Sequence, residues 1–220
     1  MTRSDAVIRA AREGDGAALR QLLDEDPELA GARNAQGETP LLAALYRGHR
    51  EAVKALLEAG PPLDIWEAAA VGQLERVRAL LNGEPALVNA CAPDGFYPPG
   101  LACFFGHPEV AEFLMERGAD IHAAARNSLQ VQPIHAAVAA RLPHLVAALL
   151  ARGADPGARQ QAGWTPLHAA AQQGDEEVAR LLLARGAAPR VPNDDGTTPL
   201  DLARAQGHTA LVALLEAHVA

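Results

Sequence analysis

Residues 165–186 read TPLHAAAQQGDEEVARLLLARG. Thr165 suits the cap of a helix whose first residue is Pro166, because the amide that proline lacks has no intrahelical partner at that position. The run to Gln173 reads as a short helix. Gly174 permits a turn, and Val178, Leu181, Leu182 and Leu183 carry a second helix. Asp175, Glu176 and Glu177 stand at its start, where three carboxylates could suggest a metal site. The helix macrodipole favours negative charge there without any ligand, and that reading is preferred. The stretch is therefore a helix–turn–helix unit.

The same phrase recurs outward from it. Thr39-Pro40-Leu41-Leu42, Gln132-Pro133-Ile134-His135 and Thr198-Pro199-Leu200-Asp201 repeat the opening, and Gly48 and Gly207 repeat the turn, followed by His49 and His208. A closing phrase appears as Gly118-Ala119-Asp120 and Gly153-Ala154-Asp155. Degenerate openings at Asp5, Leu63 and Tyr97 complete seven units, starting at 5, 39, 63, 97, 132, 165 and 198 and spaced by 34, 24, 34, 35, 33 and 33 residues. A period near 33 marks a helical repeat array. On these motifs the chain resembles the ankyrin repeat family along essentially its whole length. The resemblance implies an all-α solenoid of about seven helix–turn–helix units with short β-hairpin loops. It would be a single domain over residues 1–220, with approximate units 4–37, 38–62, 63–95, 96–130, 131–163, 164–196 and 197–220. In that family the hairpins project like fingers and form a concave binding surface with the first helices.

Asn193-Asp194-Asp195-Gly196 has the chemistry of a tight turn, and Asn34–Gly37 and Pro93–Gly95 read similarly. The spacing of 24 implies a missing finger, with Gly60-Pro61-Pro62 in its place before Leu63. Ala123–Val131 is two residues longer than its counterparts in the next two units, so that finger is expected to be enlarged or irregular. Tyr97-Pro98-Pro99-Gly100 lacks both the capping hydroxyl and the histidine, which predicts a helix shorter or weaker at its start. The end units should present polar outer faces, through Arg9, Arg12, Glu13, Asp15 and Arg20 at one end and Arg204, Gln206 and His208 at the other.

The formal charge is −8, with 10 basic against 16 acidic residues up to residue 110 and 9 against 11 after it. Neither half can neutralise phosphates well, so no nucleic-acid partner is expected. Met1–Ala10 carries Arg3, Asp5 and Arg9 without an apolar core, and no run has membrane-spanning length; a cytoplasmic protein with no membrane partner is expected. Lys54 is the only lysine among 19 basic residues, and this bias with abundant alanine suggests a GC-rich bacterial source. Cys91 and Cys103 read as free, buried or half-buried thiols. Ser4 and Ser128 occupy no nucleophile elbow, and no glycine-rich loop precedes Lys54. His135 and His168 close the tetrapeptide, and His49, His107 and His208 follow the turn glycine; the resemblance gives these histidines hydrogen-bonding roles. His122, His144 and His218 lack partners at metal-ligand spacing. No catalytic residue, cofactor, metal or appended domain is expected, and the chain is read as not an enzyme.

The resemblance places partner-contacting positions at the hairpin tip and at the end of the first helix. They read Tyr46 and Arg47, Ala70 and Val71, Phe104 and Phe105, Ala139 and Ala140, Gln172 and Gln173, Ala205 and Gln206 along the helices. Just before each opening stand Glu38, Phe96, Val131, Trp164 and Thr197. Five of the eight aromatic residues fall on this surface, and aromatic side chains and arginine anchor interfaces. The expected site is Tyr46, Arg47, Phe96, Phe104, Phe105, Leu129, Val131, Trp164, Gln172 and Gln173, binding a protein partner on the concave face of a monomer. Against it stands the reading that Phe104 and Phe105 fill space between repeats and Trp164 covers its hairpin. The alternative function is a structural or inhibitory acidic protein that masks a basic surface of another macromolecule.

Overall fold

The structure is a computed structural model and describes residues 2–218. Seven helix pairs follow one another: α1 (Arg3–Glu13) and α2 (Gly16–Glu25), α3 (Pro40–Arg47) and α4 (Arg50–Glu58), α5 (Ile65–Ala70) and α6 (Leu74–Gly83), α7 (Pro98–Phe104) and α8 (Pro108–Glu116). The last three are α9 (Pro133–Ala139) and α10 (Pro143–Ala151), α11 (Pro166–Gln173) and α12 (Glu176–Leu183), α13 (Pro199–Ala205) and α14 (Thr209–Ala217). First helices stack on first helices, and most second helices on second helices.

The described residues contain no strand. Four of the expected hairpin fingers are tight turns, each closed by two backbone hydrogen bonds to its first residue, one accepted by that residue's carbonyl and one donated by its amide, without a strand ladder. Asn34 N–H donates to Glu38 C=O, Ala92 to Phe96, Gln160 to Trp164 and Asn193 to Thr197, at 2.8–3.1 Å. In the longer finger the bond runs from Ala125 to Val131, at 3.0 Å. Neighbouring fingers are joined through their backbones: Arg126 N–H donates to Gly95 C=O, Gln161 to Leu129 and Asp194 to Ala162.

Local chemistry sets the helix starts. Thr39 Oγ1 accepts from Leu42 N–H at 3.3 Å, and Thr198 exchanges bonds with Asp201 in a capping box. The opening unit starts earlier than its alignment suggests, at Arg3 with Thr2 as cap, and α5 is capped by Asp64. Of the expected shorter or weaker start after Tyr97, the helix is not shorter, since α7 has 7 residues as do α9 and α13, while its start does lack a side-chain cap. Pro98 at the first position still supplies a helical φ, so only the side-chain cap is lost.

Histidines tie repeat to repeat. His135 Nε2 reaches Ala158 C=O at 3.0 Å and His168 Nε2 reaches Thr197 C=O at 3.1 Å, while each Nδ1 accepts from the backbone N–H that opens its helix. Burial lowers both pKa values, which keeps the rings neutral for this geometry. A second set runs backward: His49, His107 and His208 bond the carbonyls of Arg12, Ala70 and Gln172 in the preceding repeat. A Cβ on Gly14 would fall 2.6 Å from the His49 ring, and one on Gly174 would fall 2.7 Å from His208. Where the next repeat has no such histidine, a side chain is tolerated. Arg141 takes the turn position with φ 55, ahead of Asp175, and its guanidinium donates to Gln173 C=O.

The core is a continuous file of leucine, valine, isoleucine and alanine along the stack. On the second helices, Leu19 and Leu23, Val77 and Leu81, Val146 and Leu150, Ala179 and Leu183 are all buried. The equivalent Val53 and Leu57 of the second repeat are only half-buried. The cause is the missing finger. Beyond Gly60-Pro61-Pro62, α5 touches α3 lightly and α6 hardly meets α4, so a seam opens between the second and third repeats. Side chains span it: Arg33 pairs with Asp64 at 2.5 Å, and Pro93 packs on Gly37, where a Cβ would fall 2.8 Å away.

Candidate functional site

Tyr46 leaves the end of α3 and reaches over the third repeat. Its hydroxyl donates to Asp94 Oδ2 at 2.6 Å, a carboxylate already fixed by the Phe96 N–H at its other oxygen. Burial first, and then the Asp94 carboxylate, push the phenol pKa well above its usual range, so Tyr46 remains a donor at any physiological pH. The ring lies 5.6 Å from Phe105 and 6.1 Å from Phe96, and Phe104 meets Phe105 edge-on at 5.0 Å.

Beneath these rings, Leu42, Ala70 and Leu101 form a small buried cluster that Leu45, Trp66, Phe96 and Phe105 cover. Phe105 and Phe96 are thus partly structural, while Phe104 remains 49% exposed and Tyr46 40%. Arg47 is exposed beside them. Trp66 was not among the expected site residues. Its indole donates to Ala90 C=O at 2.9 Å and braces the cluster, and its place early in a helix gave no signal of this.

The remaining expected residues form a separate patch. Leu129, 43% exposed, stands at the tip of the longer finger, and with Val131, Gln160 and Trp164 it lines a cleft of about 250 Å3. Trp164 is half-buried and leans on His168 at 5.6 Å. No ring contact joins this patch to Tyr46 among the described residues. Gln172 is exposed, whereas the Gln173 side chain turns back toward Ala139 C=O at 3.4 Å.

Elsewhere the polar groups have structural partners. Asp175 caps α12 by accepting from Val178 N–H, and Glu176 meets Arg180 at 3.4 Å. Glu67 is buried in the capping box with Asp64; burial and then that neighbouring carboxylate raise its pKa, while Thr39 and Arg33 oppose the shift. Cys103 is buried, which pushes its thiol up to about 12, and Cys91 is half-buried; both are free. Among the described residues, no three His, Cys, Asp or Glu side chains gather as a ligand set. No described helix is long and apolar enough to cross a membrane.

Stacked helix pairs with projecting fingers and an exposed aromatic patch define a repeat-built interaction scaffold. The family described as ankyrin repeats matches residues 2–66, 65–160 and 134–219, and the chain belongs to that family. Ankyrin repeats are generally protein–protein interaction modules, not catalysts. Curated relatives include the E3 ubiquitin-protein ligase KEG of Arabidopsis thaliana, 29% identical over 159 residues, which covers 72% of this chain and 8% of that protein. The serine/threonine-protein kinase VIK of the same plant is 36% identical over 81 residues, covering 36% of this chain and 18% of the relative. Ankyrin repeat and SAM domain-containing protein 6 of Mus musculus is 32% identical over 121 residues, covering 55% of this chain and 11% of the relative. The chain spans less than a fifth of each of these proteins.

Proposed function

We propose that this chain is a non-enzymatic, monomeric binding module of the cytoplasm that recognises a protein partner on its concave face. Tyr46, Arg47, Phe96, Phe104 and Phe105 form the main anchor, and Leu129, Val131, Trp164, Gln172 and Gln173 form a second contact. The observation that carries this reading is Phe104: a large apolar side chain, 49% exposed, that packs edge-on against Phe105. A preordered aromatic ring loses little entropy on binding and supplies much apolar area, which is the character of an interface anchor.

The test begins with affinity purification and mass spectrometry to identify the partner. The Phe104→Ala, Phe105→Ala, Trp164→Ala triple variant should then bind it at least about tenfold more weakly, with unchanged helical circular dichroism. Unchanged affinity in a folded variant would overturn this placement. The charge of −8 favours a second reading, an acidic cover over a basic surface. That mode should weaken steeply with salt, whereas aromatic anchoring should respond little.

A further inference from the structure

The second helix of the second repeat carries a stripe that the third repeat leaves partly open. Arg50, Val53, Lys54, Leu57 and Glu58 recur at i, i+3, i+4, i+7 and i+8, which places them on one face of α4. Leu45 and Phe105 close the stripe into an open groove of about 650 Å3. In an unbroken stack the following repeat would bury Val53 and Leu57, as it buries Val146 with Leu150 and Ala179 with Leu183. Here both are only half-buried, as is Val212 in the seventh repeat, so the second repeat leaves part of this face open. Val53, Leu57, Leu45 and Phe105 give the groove an apolar floor.

The rim carries charge of the sign that is scarce in this chain. Arg50 has no ion pair among the described residues, and Lys54 meets Glu58 only at 3.9 Å with both side chains largely exposed. Arg47 is exposed at the adjoining end of α3. Of the carboxylates of α4, Glu58 shares the groove with Arg50 and Lys54, which leaves the rim net positive, while Glu51 lines the cleft toward α2 that Lys54 and Glu58 also reach. Cations beside an apolar floor, in a chain of net charge −8, select a ligand that brings its own carboxylates.

We propose that this groove binds a linear segment of a partner protein in which apolar side chains are flanked by aspartate or glutamate. The apolar residues would seat against Val53, Leu57 and Phe105, and the carboxylates would meet Arg50 and Lys54. The inference rests on the protein-binding reading above and names the chemistry of the segment recognised.

The test is selection from a displayed random peptide library on the purified chain. Enriched peptides should share apolar residues flanked by Asp or Glu. The Arg50→Glu, Lys54→Glu double variant and Leu57→Glu should each weaken the selected peptides by at least about tenfold in fluorescence polarisation, as expected for removing a hot-spot contact. These positions are solvent-exposed or half-buried, and thermal melting confirms that each variant is folded. Glu177→Ala, exposed on α12 in the sixth repeat, should leave peptide affinity unchanged. No enrichment, a basic consensus, peptides indifferent to the groove variants, or self-association of the chain that buries Leu57 would each overturn the proposal. If natural-partner binding is lost in Phe104→Ala with Trp164→Ala but indifferent to Arg50→Glu with Lys54→Glu, the groove assignment falls and the concave-face reading stands.

Discussion

The fourth to seventh repeats and the join between the second and third are built from the same kind of helix pair, yet they hold together differently. In the later repeats every finger bonds its neighbour through the backbone, and α10, α12 and α14 pack in sequence. At the join the finger is absent, α4 loses its neighbour, and single side chains such as Tyr46 and Arg33 span the gap. Stacking is thus a property of two surfaces at once. Removing the finger displaces the outer helix as well, although α4 keeps the apolar pattern of its counterparts.

The largest effect should come from truncating matched leucines. Leu150→Ala, in the buried file of α10, should cost about 2–5 kcal/mol in urea unfolding, and Leu57→Ala distinctly less, about 1–2 kcal/mol, because part of its surface is already wet. Equal costs would show that the join is packed as tightly as the rest. Next, His168→Ala should cost about 1–3 kcal/mol, since it strands the Thr197 carbonyl and the Thr165 cap.

The same residue predicts a pH dependence. Burial lowers the folded-state pKa of His107, His135 and His168 below the unfolded value of 6.5, so the unfolded chain binds more protons in that interval. Their contribution should be complete above pH 6.5 and decline as the pH falls toward the lower folded values. Urea midpoints at several pH values check this, and His135→Gln with His168→Gln should flatten the curve. A smaller loss, about 1–2 kcal/mol, is expected for Gly174→Ala, which combines a φ of 68 with collision against His208; Gly48→Ala meets open space and should cost only the backbone strain, about 1 kcal/mol. Smallest is Tyr46→Phe, at about 0.5–1.5 kcal/mol, with faster hydrogen exchange confined to repeats flanking the join.

The fold was legible because stacking needs the same residues at the same places: Thr165-Pro166 to start a helix, Gly174 to turn it, His168 to bond the next finger. The spacing of 24 residues before Leu63 announced a lost finger. It did not announce exposure of Val53 and Leu57, because burial there depends on where a different repeat comes to rest. Tyr46 was readable as a surface aromatic from its position, but its bond to Asp94 spans 48 residues and rests on the gap between them. Tyr97-Pro98-Pro99-Gly100 announced the lost side-chain cap but not that proline at the first turn would keep the helix at full length. For Gln173, the place at a helix end is generic, while the turn of its side chain toward Ala139 depends on the preceding repeat.

The backward-reaching histidines carry one more consequence, for the way such a chain can be rearranged. A repeat bearing histidine at that place must follow one that ends its first helix in glycine, because the ring occupies the volume a Cβ would need. Arg141 occupies that volume ahead of Asp175. Duplication or exchange of repeats is therefore subject to a grammar of adjacency: the final repeat could be transplanted behind the second, where Gly48 leaves open space, but behind the fifth its His208 would collide with arginine.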